Sequence, residues 1–535
     1  MTFGPDNPFY APSTLPFHAP PFDKIKDGDY QPAIDAGMAE QRREIRAIAD
    51  DPAAPTFENT FVAMEKSGRL FNRVMAAFNG VTGANLNPEL QKVQDFEAPR
   101  LAAHQDAIFL DSKLFERVEA FYKQRDSLKL DPESLRLVEF YYKEFVHAAA
   151  NLSDSDKAEL KKLNEEESTL TNAFTTKLLA ATKDAAYVTK RKEALAGLSD
   201  SQIAAAALAA KERKLDGYAL PLQNTTQQPD LDSLSNRSTR QVLFEQSWNR
   251  AEHGGRNDTR EIVARLAQLR SQKARLLGFP NYAAWKLEDQ MAKTPEAALK
   301  FMDALVPGAT GRANGEAKDI QSLMTSRSSS QNVDSRNGNS RGGGSSDAHT
   351  AGVKLEPWDW NFYAEQVRKA KYDLDESQIK PYFELNNVLE NGVFYAAGQL
   401  YGITFKERND IPVYHPDVRV FEVFEADGRP LALFYVDYFK RDNKNGGAWM
   451  SNFVDQSKLL GTLPVVYNVC NFSKPAPGEP ALPSFRDVTT MFHEFGHALH
   501  GMFADSKYPI LSGTAVPRDF VEFPSQFNEH WATYP

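Results

Sequence analysis

The stretch from Ser484 to Phe503 restricts the fold more than any other part of the chain. Ser484 and Asp487 form an S-x-x-D capping pattern just after Pro483, which predicts a helix running to about Phe503. At roughly 100° per residue, Val488, Met491, Phe492, Phe495, Ala498, Leu499, Met502 and Phe503 share one face of that helix. His493, His497 and His500 gather on the opposite face, within about 60° of one another. The apolar face must be buried against a core. The imidazole face must look into a polar space. Gly496 and Gly501 lack side chains, so other segments can approach the helix closely there.

Within that helix lies His493-Glu494-Phe495-Gly496-His497, an H-E-x-x-H pattern. Two imidazoles one turn apart can reach a single ion. Zinc accepts nitrogen ligands in tetrahedral geometry, and a catalytic site keeps one position open. Glu494 sits about 100° round from His493, beside the ligand pair, where a carboxylate can take a proton from a water molecule. A third ligand has to come from downstream, from Asp505, Asp519, Glu522, Glu529 or His530. Pro509, Gly513 and Pro517 suit a reversing loop, and Asp519 is placed to cap a second helix with Glu522 in its first turn. Ser525 and Gln526 follow at i+3 and i+4, close enough to orient the Glu522 carboxylate. Those mechanics favour Glu522 over Glu529. They place His500 beside the centre as a supporting polar group rather than a ligand.

The rest of the chain is mostly helical in pattern. Glu133–Ala150, Leu160–Ala181 and Arg260–Leu277 carry apolar residues at helical spacing, the last ending at Gly278-Phe279-Pro280. Ile203–Ala210 reads as an Ala-rich helix, far too short to cross a bilayer. Thr325–Thr350 is nearly devoid of apolar residues and is expected to be a surface insertion, with His349 a bystander within it. Strand-like runs follow at Val418–Glu425 and Leu431–Phe439, flanking a turn at Gly428, and at Ala448–Phe453 and Val465–Phe472. They predict a small antiparallel sheet beside the histidine helix.

Composition excludes several classes. Of 535 residues, 41% are hydrophobic and 25% charged, an ordinary globular balance. The net charge of −10 does not suit a phosphate backbone, so nucleic acid is an unsuitable partner. Cys470 is the single cysteine, so no intrachain disulfide can form. The Pro- and Phe-rich start, Met1 to Pro21, lacks the basic and apolar blocks of a signal peptide. A soluble, cytoplasmic protein is expected, with a periplasmic one also permitted.

FHEFGHALHGMF, followed by SGTAVPRDFVEFPSQFNEHW, resembles the thimet oligopeptidase family of zinc metallopeptidases, nearest its peptidyl-dipeptidase branch. NPFYAPSTLPFHAPPFDKIK, ARLLGFPNYAAWKLEDQMAKTP and LPVVYNVCNFSKP carry the likeness through nearly the whole chain. The resemblance implies a mainly α, neurolysin-like two-lobed zincin fold. It implies a helical lobe over 1–200, a helical bridge over 201–324, the insertion at 325–350 and a catalytic lobe over 351–535. It implies one Zn2+ per chain, held by His493, His497 and Glu522, with Glu494 as general base. The expected substrates are short unfolded peptides that lose C-terminal dipeptides, handled by a monomer without membrane or nucleic acid. An endo-oligopeptidase cutting internal bonds is the nearest alternative, and a peptide-binding fragment the alternative of another class. Gly446, Gly447, Ala448 and Trp449 are candidates for an edge strand that holds the substrate backbone. Family chains continue well past Pro535, with oxyanion-stabilising donors there, so this chain is expected to bind zinc but turn over poorly.

Overall fold

The computed structural model describes residues 3–223, 228–336, 353–373 and 376–534. Its principal helices are α1 (Asp27–Ala49), α2 (Arg69–Ala84), α3 (Pro88–Phe109), α4 (Pro132–His147), α5 (Asp154–Asp184), α6 (Asp200–Glu212), α7 (Arg260–Leu276), α8 (Tyr282–Leu287), α9 (Pro295–Arg336), α10 (Phe485–Met502) and α11 (Glu522–Asn528). Local chemistry sets their starts. The Asp131 carboxylate accepts the Ser134 N–H and Pro132 stands at the first turn of α4, while Ser153 caps α5. Ser199 and Gln202 form a reciprocal capping box at α6. Leu137, Val138, Tyr141 and Phe145 are the buried stripe of α4, at the spacing its sequence predicts.

A short ribbon pairs β1 (Tyr187–Thr189) with β2 (Tyr218–Leu220). The main sheet contains β3 (Thr404–Glu407), β4 (Arg419–Phe424), β5 (Pro430–Phe439), β6 (Trp449–Val454) and β7 (Val465–Phe472), in the order β3-β4-β5-β7-β6. The β4–β5 hairpin forms as expected, turning at Gly428, whose φ of 83° suits a residue without Cβ. The expectation of an antiparallel sheet is corrected at one pair, because β5 and β7 run parallel. The chain passes β5, places β6 at the outer edge, then returns between them as β7. That order follows from long-range packing, not from any single turn.

Both faces of β5 are covered, which explains its almost unbroken apolar run. Phe434, Val436 and Tyr438 meet Phe492, Phe495 and Met502 of α10 in one core. Leu433 and Tyr435, from the other face, pack with Ala19 and Ala84 from the N-terminal part of the chain. Asp437 on that side is buried and takes Arg441 and Lys444, the latter donating at 2.8 Å. These ion pairs hold the segment that leads into β6. A further core joins Phe61, Leu137 and Phe145 to Tyr508, whose hydroxyl lies 2.8 Å from Ser134 Oγ. Within the expected surface insertion, Thr325–Arg336 continues α9 as helix, and Thr325, Ser326 and Arg327 are exposed. The remainder of that insertion to Thr350, with His349, lies outside the described residues.

Candidate metal centre

α10 begins where its sequence places it. Ser484 Oγ accepts the Asp487 N–H at 3.2 Å, and Asp487 Oδ2 accepts the Ser484 N–H at 2.9 Å. The apolar face is buried, and His493 and His497 project from the other side with rings 4.9 Å apart. Behind α10, the loop through Pro517 turns the chain back and α11 crosses the helix at Gly496. A Cβ at Gly496 would stand 2.7 Å from Ser525 Cα and 2.9 Å from the Pro524 carbonyl oxygen, so only glycine permits this approach. Asn528 Nδ2 donates to the Phe492 carbonyl at 2.6 Å and fixes the crossing.

That crossing delivers Glu522 to the two imidazoles. Its Oε2 lies 3.2 Å from His493 Nε2 and 3.1 Å from His497 Nε2. Tetrahedral zinc, with bonds of about 2.0–2.1 Å, spaces its ligand atoms about 3.3–3.4 Å apart. Both Glu522 distances are close to that spacing and all three ligand atoms lie within 4.8 Å of one another; among the described residues this is the one group of three or more His, Cys, Asp or Glu able to hold an ion. Burial raises the Glu522 carboxyl, but the Ser525 hydrogen bond and the two imidazoles outweigh it and hold the group below its usual range. Burial lowers His497, keeping it in the neutral form that a metal requires.

Glu494 is 5% exposed, and among the described residues its Oε2 has no hydrogen-bond partner. Burial first, and then the Glu522 charge, push its carboxyl up to about 8. A divalent cation at the centre would oppose both effects. An orphaned carboxylate oxygen beside an acceptor-rich, ion-sized gap is a poor structural choice but a suitable proton acceptor.

The other candidates scatter. Ser525 Oγ lies 3.0 Å from Glu522 Oε2 and positions it as expected, whereas Gln526 is exposed and makes no hydrogen bond to it. His500 is corrected: it makes no hydrogen bond to His493, His497 or Glu522, and faces a separate cavity of about 430 Å³ with Tyr401, Phe503, Phe523 and Phe527. Asp519 does not cap α11, because its carboxylate accepts the N–H groups of Met291 and Ala292 at 3.0 and 2.9 Å. Asp505 pairs with Lys458, and His530 with the Phe527 carbonyl. Trp449 opens β6 at the edge of the sheet, with Gly446, Gly447 and Ala448 leading into it.

One functional residue was misjudged. Glu529, weighed above as a rival ligand, places Oε1 2.7 Å from His493 Nδ1. It holds the proton on Nδ1 and leaves the Nε2 lone pair facing Glu522 and the gap. Its spacing of seven residues puts it on the same face as Glu522, but the contact itself depends on how α11 crosses α10.

Residues 231–535 match the model of peptidase family M3. The chain is 54% identical to the dipeptidyl carboxypeptidase of Escherichia coli K12 over 99% of its own length and 75% of the relative's. It is 30% identical to oligopeptidase A of the same organism, over 98% of this chain and 75% of that one. The chain belongs to peptidase family M3. That membership accounts for a mainly helical molecule with small sheets. No helix among the described residues is long and apolar enough to cross a membrane.

Proposed function

We propose that this chain is a zinc-dependent peptidyl-dipeptidase that removes dipeptides from the C-termini of short, unfolded peptides. The observation that carries the reading is the convergence of His493, His497 and Glu522 within ligand distance of one another beside the buried carboxylate of Glu494. The 54% identity to a dipeptidyl carboxypeptidase favours this specificity over the endo-oligopeptidase alternative, whose relative stands at 30%.

His493, His497 and Glu522 would hold one zinc ion. When bound, zinc supplies Lewis acidity to the scissile carbonyl and acidity to water. Glu529 keeps the His493 ring in the tautomer and orientation that ligation needs. Ser525 steadies the Glu522 oxygen. Glu494 accepts the proton of the attacking water and delivers it to the departing amine. The substrate backbone lies extended along the β6 edge, entering beside Gly446 to Trp449. The helical stretches 1–200 and 201–324 act as lobe and bridge around the catalytic stretch 351–535, in a monomer.

The test is product mass. An N-blocked tetrapeptide with a free carboxyl end and its C-terminal amide are offered to the zinc-loaded chain. Release of the dipeptide from the free acid alone supports the assignment. Equal cleavage of both forms overturns the dipeptidyl specificity and assigns an endo-oligopeptidase.

A further inference from the structure

A second cavity, among the described residues, shares no residue with the metal centre. It has a volume of about 760 Å³ and lies among α2, α3, α4, α5, α7 and α8. That size falls within the range of small-ligand sites, about 300–1,000 Å³.

Its wall carries charges of both signs, and their partners differ. Arg270 and Lys273 both bind Glu167, at 2.9 and 3.2 Å. Lys286 lies over the face of Trp285, 4.2 Å from the ring centroid. The cationic groups are thus occupied. Glu167 is occupied with them, but two other acceptors are not. Asp106 is 8% exposed and lines the cavity, and among the described residues its Oδ2 has no hydrogen-bond partner. Its other oxygen accepts Asn164 Nδ2 at 2.7 Å, a bond that leaves Asn164 Oδ1 buried without a partner as well. Two adjacent orphaned acceptors, one carried by a buried carboxylate, cost free energy unless a donor meets them. The missing complement is a positively charged group with several N–H donors.

We propose that this cavity binds a primary ammonium group, held between Asp106 Oδ2 and Asn164 Oδ1. An ammonium presents three donors, enough in number for both acceptors. Burial raises the Asp106 carboxyl to about 6, more than the Asn164 hydrogen bond and the charges of Lys273 and Lys161 lower it. Glu144 adds a further carboxylate to the same wall. Two sources carry this chemistry: the amino terminus of a short peptide, and a free alkylamine.

The experiment is calorimetric titration of the metal-free chain with three probes: tetraalanine, its N-acetyl form and butylamine. The site predicts binding of butylamine, whereas binding of the acetylated peptide belongs to the substrate groove of the metal centre and is indifferent to Asp106→Asn and Asn164→Ala. Binding of tetraalanine that those substitutions weaken identifies peptide amino termini as ligands, whereas weakening of butylamine binding alone identifies a free amine. Asp106→Asn and, separately, Asn164→Ala weaken binding at least tenfold, with circular dichroism unchanged. Glu522→Gln leaves it unaltered, so failure of the site is distinguishable from failure of the metal centre. Absence of butylamine binding, or binding indifferent to both cavity substitutions, overturns the proposal.

Discussion

The metal centre and the helical cavity are built by opposite means. In the first, two ligands and the base sit on a single turn of α10, and the third ligand arrives on the next helix. In the second, Asp106, Asn164 and Lys273 come from three helices spread over more than half of the N-terminal sequence. The first is a local pattern that one crossing completes. The second exists only after helices have packed. Among the described residues, each leaves a buried carboxylate oxygen without a hydrogen-bond partner, at Glu494 and at Asp106, so each is unfinished as a purely structural arrangement.

Substitutions separate the two regions. The largest effect is expected at the base. Glu494→Gln lowers peptide turnover by roughly 10³-fold while zinc content, read by atomic absorption, is unchanged, because the ligands remain and only proton transfer is lost. Glu529→Gln comes next. It removes the charge behind His493, and zinc affinity falls about 10–100-fold in competition with a chelator.

At the cavity the readout is stability against pH. The Asp106 carboxyl is raised from 3.8 to about 6, chiefly by burial, with Glu165 adding to the rise and Asn164, Lys273 and Lys161 opposing it. A carboxyl raised in the folded state contributes stability that is full below pH 3.8 and is lost as pH climbs through about 6. Asp106→Asn escapes that loss. Relative to the parent, it gains as much as about 3 kcal/mol in denaturant melts between pH 4 and pH 7, and turnover at the metal centre is unchanged. The smallest effect is Ser525→Ala, about 1 kcal/mol or roughly fivefold in zinc affinity, since half-exposed Glu522 retains both imidazole neighbours.

The same contrast explains what the sequence could and could not reveal. α10 was readable to within a residue because its cap, its apolar face and its ligands lie in one uninterrupted stretch. Glu522 was readable from the short reversing loop and the Ser525 that supports it. The Glu529 contact was not, because it depends on the angle at which α11 crosses α10 over Gly496. Asp519 looked like a cap in isolation, yet the Met291–Ala292 main chain, remote in sequence, claims its carboxylate. The parallel β5–β7 pair was hidden for a like reason. Strand patterns show which segments pair well, but not that β7 would slip between β5 and β6. The cavity had no sequence signature, since Asp106 and Asn164 are ordinary helix-surface residues until α3 and α5 meet.

The account rests on a shared ion between α10 and α11. Zinc titrated into the metal-free chain and examined by X-ray absorption tests it directly. One equivalent per chain is predicted, in a shell of imidazole nitrogen and carboxylate oxygen at about 2.0–2.1 Å. Glu522→Ala is predicted to remove the carboxylate ligand and weaken binding. A sulfur ligand, sub-stoichiometric uptake, or a shell unaffected by loss of Glu522 would contradict it.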